Sequence, residues 1–207
     1  MKPTRATRGP VRGRIAAADR AIMARVSAAD SATLDEVMPR LSHAANHSVL
    51  WICIAAGLAV TRNKRARRAA LRGLASVAMA STASNVIGKG LTRRGRPAGP
   101  VPLARQLRRV PRTTSFPSGH AASAAAFATG VSLELPVLAA PIGAMAAAVG
   151  ASRVVTGAHY PSDVVAGFAT GVAAGTLTLR WWPLRDDPGE WDRPARRAKQ
   201  RQRSQLT

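Results

Sequence analysis

Charge in this chain is segregated, and that segregation limits its possible folds more than any other feature. Five stretches carry no Asp, Glu, Lys or Arg: Leu41–Thr61, Gly73–Gly88, Thr113–Leu133, Leu135–Ser152 and Val164–Leu179. A helix on the surface of a soluble domain needs one polar face to meet water. Segments with no charge at all must be buried all round or must face lipid. With flanking turns, each approaches the roughly 17–25 residues of a short membrane span. Their many Ala and Gly residues let helices approach closely inside a bilayer. Trp51 and the Trp181–Trp182 pair lie near segment ends, where interfacial aromatics sit. The expected fold class is all-α, a transmembrane bundle with five evident segments. A soluble bundle of buried Ala-rich helices is the alternative, and five such segments in 207 residues weigh against it.

The remaining residues are strongly basic. Lys and Arg outnumber Asp and Glu by 31 to 10, a formal charge of +21, which points to an anionic partner. Nucleic acid, a membrane surface and a phosphorylated substrate all qualify. Long uncharged segments interrupt the basic clusters, and only one Tyr and three Phe could stack on bases, so nucleic acid is the weaker choice. Cys53 stands alone, which excludes an intrachain disulfide and a cysteine-based zinc site. Met1–Arg25 has no apolar run of seven residues and is not expected to act as a secretory signal. Gly13–Ser27 alternates charged with apolar residues and predicts an amphipathic helix on the membrane surface. The expected organisation is a basic N-terminal tail with that helix (1–33), a membrane domain (34–183) and a basic disordered tail (184–207).

Three clusters lie at segment ends. The first is Lys89 followed after six residues by Arg96–Pro97. The second is Pro117–Ser118–Gly119–His120. The third is Ser152–Arg153, then His159 after five residues and Asp163 after three more. Lys89, Arg96 and Arg153 are cations beside apolar segments, where an uncompensated charge is costly. A phosphate dianion among them would offset that cost, with arginine forks matching its oxygens. Ser118 reads as an N-cap, and the helix start behind it favours an anion. Gly119 leaves the backbone bare for close approach. His159 and Asp163 are four apart and share one face of a turn. The carboxylate is expected to hold one imidazole nitrogen and leave the other nucleophilic. His120 is placed to protonate a leaving oxygen. No Asp/Glu cluster offers a home for magnesium or a metal pair, so a cofactor-free, metal-free route is expected.

Taken together, these three parts, in this order and at this spacing, resemble the signature of the type 2 phosphatidic acid phosphatase superfamily. The resemblance runs from about Leu41 to Trp182. It implies an all-α bundle, often of six membrane helices, so five to six are expected here. It implies His159 as nucleophile, Asp163 as its orienting acid and His120 as general acid. Lys89, Arg96, Ser118, Gly119 and Arg153 would bind phosphate. The substrate would be phosphatidic acid, phosphatidylglycerol phosphate or a polyprenyl diphosphate. A soluble phosphatase of the same superfamily is a further possibility.

Topology agrees with one shared site. The first motif closes the second segment and the second opens the third, while the third motif bridges the fourth and fifth. Consecutive spans bring those two connections to one membrane face. The positive-inside rule puts Arg62–Arg72 and the C-terminal tail in the cytoplasm and the site on the extracytoplasmic face of the cell membrane. His43 and His47 lack an evident third ligand and read as packing or interfacial residues. Glu134 reads as an interfacial charge. Arg105, Arg108, Arg109 and Arg112 either attract lipid headgroups or form a solvated charge run.

Overall fold

A computed structural model describes residues 10–91, 94–98, 101–106 and 114–184, with the side chains of 87–91 excepted. Both tails beyond these limits lie outside the described residues, as do Arg108, Arg109 and Arg112. The described chain is helical and without strands: α1 (Pro10–Ala28), α2 (Ala32–Ala44), α3 (Val49–Ala59), α4 (Lys64–Leu91), α5 (Gly119–Glu134), α6 (Ala139–Val155) and α7 (Pro161–Leu177). The five uncharged stretches fall on α3 to α7. The two added helices, α1 and α2, come from the charged N-terminal segment.

Helix α5 is the axis of the bundle, packed against α4, α6 and α7. Every residue from Ala121 to Phe127 is buried. A helix enclosed on all sides has little room beyond Cβ, and six of those seven residues are Ala or Ser. Helix α7 comes closest. A Cβ on Gly167 would lie 2.4 Å from the Ser118 carbonyl oxygen, and one on Gly171 would lie 2.2 Å from that of Ala122. Only glycine permits that backbone-to-backbone contact. On the other flank, Trp51 of α3 packs on Phe127 with ring centroids 5.2 Å apart. Trp51 is fully buried. The interfacial place expected for it is wrong, because a side chain of that size fills the gap left by the small residues of α5.

Among the described residues, two helical stretches, Pro136–Val155 and Pro161–Arg180, are long and apolar enough to cross a membrane, at 20 residues each. That length spans about 30 Å. The helical stretch through α3, Asn46–Ala59, is apolar but shorter. Ile52, Val86, Val165 and Val172 are exposed on the outer surfaces of α3, α4 and α7. Outward-facing apolar residues suit a lipid-facing surface.

The start of α4 meets the ends of α5 and α7 at one end of the bundle. There Arg72 donates to Glu134 Oε1 (2.8 Å), Thr178 Oγ1 (3.0 Å) and the Trp182 carbonyl (2.5 Å). Arg68 donates to the other Glu134 oxygen at 3.2 Å. Both guanidinium groups lie over the Trp182 ring, at 5.3 and 5.0 Å. Glu134 is therefore a buried partner of two arginines and not an interfacial charge. Arg105 is likewise neither solvated nor a headgroup ligand. It is 1% exposed and donates to Asp35 and to the carbonyls of Val26 and Ala29, which ties the α1–α2 turn to the loop after α4.

Candidate active site

The opposite end of the bundle gathers the start of α5, the end of α6 and the start of α7. Helix α6 stops at Val155, and the Arg153 carbonyl accepts from both Ala158 N (3.0 Å) and His159 N (3.1 Å). The turn needs a left-handed residue, supplied by Gly157 at φ 67°. A Cβ there would also strike Val101 at 2.5 Å. This turn drives His159 inward until it is 4% exposed.

The His159 ring is held from both sides. Nδ1 lies 2.7 Å from the Ser115 carbonyl oxygen. A carbonyl only accepts, so Nδ1 carries the proton and Nε2 keeps its lone pair. Arg96 Nη1 sits 3.3 Å from Nε2 and donates to the Ala158 carbonyl at 2.7 Å. Burial pushes the imidazole pKa down, and Arg96 and Arg153 push it further, to about 3, against the opposing effect of the Ser115 carbonyl. The ring is neutral at physiological pH.

Asp163 stands on the same face as His159, but its nearest oxygen is 3.9 Å from Nδ1. Its Oδ2 accepts from Tyr160 N at 2.9 Å, closing a capping box at the start of α7. Its Oδ1 accepts from Arg94 Nη1 at 2.7 Å. The acceptor that fixes the histidine tautomer is thus a backbone carbonyl, with the carboxylate one step behind it.

The remaining motif residues whose side chains are described lie at the same end of the bundle. Ser118 caps α5 by accepting from Ala121 N (3.4 Å), and its own N–H donates to the Asp163 carbonyl (3.0 Å). Space is open beside Gly119, where an added Cβ would meet nothing within 4 Å. His120 Nε2 lies 2.9 Å from Asn46 Oδ1. His120 is close enough to His159 to depress its pKa. Arg153 is 1% exposed and donates to the Ser42 hydroxyl, while its Nε has no hydrogen-bond partner among the described residues. Lys89 falls in the last turn of α4, and its side chain lies outside the described residues.

Several supporting groups carried no sequence signal. Ser115 acts through its carbonyl, which every residue has. Arg94 is one of three arginines within four positions, indistinguishable by sequence from Arg93 and Arg96. Ser42 and Asn46 precede the motif region altogether. Asn46 lies next to His47, and by sequence only the His43–His47 spacing stands out there. Both of those histidines are exposed.

Comparison with known proteins converges on one family. The model of the PAP2 superfamily matches residues 69–187, more than half of the chain. Decaprenylphosphoryl-5-phosphoribose phosphatase of Mycobacterium tuberculosis (strain CDC 1551 / Oshkosh) is 37% identical over 141 residues, covering 66% of this chain and 74% of that protein. Lipid A 1-phosphatase of Rhizobium johnstonii is 45% identical over 64 residues, 31% of this chain and 26% of that protein. Among solved structures, the transmembrane PAP2 type phosphatidylglycerolphosphate phosphatase from Bacillus subtilis superposes with a TM-score of 0.63 at 27% identity, covering 81% of this chain and 86% of that one. Aquifex aeolicus LpxE gives the same TM-score of 0.63 at 22% identity, covering 78% and 94%, and speaks to the fold alone. With its motifs gathered at one end of an all-α bundle, the chain belongs to the PAP2 superfamily and is a membrane lipid phosphatase.

Proposed function

We propose that the chain removes the terminal phosphate from a polyprenyl-linked sugar phosphate, with His159 as a covalent nucleophile. The observation that carries the chemistry is the His159 tautomer, with Nδ1–H on the Ser115 carbonyl and Nε2 turned towards Arg96. The substrate class follows from the similarity to decaprenylphosphoryl-5-phosphoribose phosphatase. Phosphatidic acid, phosphatidylglycerol phosphate and polyprenyl diphosphate are the competing substrates.

In the first step Nε2 attacks phosphorus, an N–P bond forms, and the bond from phosphorus to the sugar oxygen breaks. His120, which can hold a proton beside Arg96 and Arg153 once the phosphate dianion offsets their charge, gives that oxygen its proton. In the second step a water loses a proton to His120 and attacks phosphorus. The N–P bond breaks, and inorganic phosphate leaves. Arg96, Arg153 and Lys89 hold the non-bridging oxygens, and the α5 N-terminus at Ser118–Gly119 adds its dipole. Asp163 supports the turn that presents His159. No step calls for a metal ion. The site faces the extracytoplasmic side, with the basic stretch Arg62–Arg72 and the C-terminal tail on the cytoplasmic side.

The test is phosphate release in detergent from a panel of these lipids, with His159→Ala as control. The sugar phosphate is expected to be preferred, activity to survive EDTA, and labelled phosphate to be trapped as an acid-labile adduct on the wild-type protein only. Full activity of His159→Ala would remove the nucleophile. A C-terminal tag accessible from outside intact cells would reverse the orientation.

A further inference from the structure

Helix α1 buries one residue, and that residue is a carboxylate. Asp19 is 2% exposed, while Val11, Ile15 and Ile22 of the same helix are 67%, 45% and 41% exposed. A helix docked for packing does the reverse, because a buried carboxylate is costly unless fully partnered. Asp19 is fully partnered. Its Oδ2 accepts from Arg94 Nη2 (2.6 Å) and Ser162 Oγ (2.7 Å), and its Oδ1 accepts from Ser162 N (2.9 Å). Burial pushes the Asp19 carboxyl up, but the hydrogen bonds from Arg94 and Ser162 outweigh it and hold the pKa below the usual carboxylate value.

Arg94 passes this contact on to the reacting histidine. Its Nη1 donates to Asp163 Oδ1 and to Ser162 Oγ, each at 2.7 Å, and its guanidinium lies 4.2 Å from the centre of the Tyr160 ring. Its carbonyl accepts from Ser115 N at 3.0 Å, and the next carbonyl, that of Gly95, accepts from Ser115 Oγ at 3.1 Å. Ser115 in turn gives its own carbonyl to His159 Nδ1. Two residues after Arg94 comes Arg96, the cation beside Nε2. One guanidinium therefore ties α1, the start of α7 and the loop that orients the nucleophile.

We propose that Asp19 is a positioning residue for phosphoryl transfer, acting through Arg94 to set the Ser115 carbonyl and Arg96 around His159. This places α1, which lies ahead of the family-matched segment 69–187, within the working site. The proposal rests on His159 being the nucleophile. A purely structural role for Asp19, docking α1 and no more, is the competing account.

The experiment uses the full chain in detergent and compares Asp19→Asn, Asp19→Glu, Arg94→Gln and the Asp19→Asn/Arg94→Gln double variant. For each, kcat, KM and the thermal midpoint are measured. Asp19→Asn is expected to lower kcat by about 10- to 100-fold, the scale of a reacting group displaced by up to about 1 Å. KM should change much less, and Asp19→Glu should recover most of kcat. The double variant should be no slower than Arg94→Gln alone, since both substitutions break one chain of contacts. Wild-type kcat in Asp19→Asn would overturn the proposal. So would rate losses that multiply in the double variant, or a kcat that falls only in step with the thermal midpoint in both Asp19 variants. A wild-type protein that releases no phosphate, or a His159→Ala variant that still does, would instead strike the nucleophile assignment and take the proposal with it.

Discussion

The two ends of the bundle bury arginine in opposite ways. At the end formed by the start of α4, Arg72 is fully buried and satisfied by Glu134, Thr178 and the Trp182 carbonyl, with Arg68 sharing the carboxylate. At the end formed by the start of α5, Arg153 is just as buried. There it has a serine hydroxyl as its acceptor, an Nε without a partner, and no carboxylate bridge among the described residues. Burying an arginine costs several kcal/mol unless its charge is compensated. The closed end is compensated within the chain. The site end lacks that compensation among the described residues, and under the proposed function a phosphoryl group would supply it. Burial of a cation therefore does not identify a binding site by itself; what separates the two ends is whether a carboxylate is buried beside it.

The comparison breaks most sharply if the two arginines are exchanged for a residue of similar length. Arg72→Met leaves Glu134 buried with Arg68 as its remaining ion-pair partner. A loss near the lower end of the range for a broken buried pair is expected, about 3 kcal/mol, or roughly 10 °C in the thermal midpoint. Specific activity of the molecules that remain folded should hold. Arg153→Met should behave the other way. The thermal midpoint should stay level or rise, because a poorly compensated buried charge is gone. Phosphate release should fall by about 10²- to 10³-fold, the typical effect of deleting one group that stabilises transition-state charge. Unfolding curves and kcat/KM measured on both variants decide the matter, and parallel behaviour would erase the distinction between the ends.

Sequence alone separated these ends poorly, and the reason is physical. The uncharged stretches predicted helices α3 to α7 because hydropathy and N-capping are local properties. The three motifs come together at the candidate site because each falls where a helix starts or stops. Partners distant in sequence left no such trace. Glu134 lies 62 residues from Arg72, and nothing in its own neighbourhood says that it points inward. Trp51 near a segment end looks interfacial until the small residues of α5 are seen to leave a gap beside Phe127. The His159 acceptor is a backbone carbonyl, and Asp19 is a lone acid in a basic helix. Charge counting read Arg68, Arg72, Arg105 and Arg153 alike, although three of them close internal ion pairs.

A ligand sharpens the same contrast. Inorganic phosphate or vanadate should raise the thermal midpoint of the wild-type protein, because an anion that binds only the folded site stabilises it by mass action. The gain is about 2.7 kcal/mol at a hundredfold excess over Kd. Arg153→Met should lose most of that gain. Arg72→Met, although less stable at the start, should keep it in full. An equal gain in both variants would place the anion elsewhere than the site end.

The smallest effect tests how the closed end shares its charge. Arg68 and Arg72 both lie over the Trp182 ring, at 5.3 and 5.0 Å, and the Trp182 carbonyl also accepts from Arg72. Trp182→Leu keeps that backbone carbonyl and much of the apolar bulk but removes the ring face. Cation–π contacts are worth about 0.5–1 kcal/mol each when partly exposed and more when desolvated. A loss of about 1–2 kcal/mol in unfolding is therefore expected, with phosphate release unchanged. If Glu134 alone compensated both arginines, Trp182→Leu would leave the midpoint where it was. The closed end would then be a simple carboxylate–arginine cluster and not one in which the aromatic face takes part of the second positive charge.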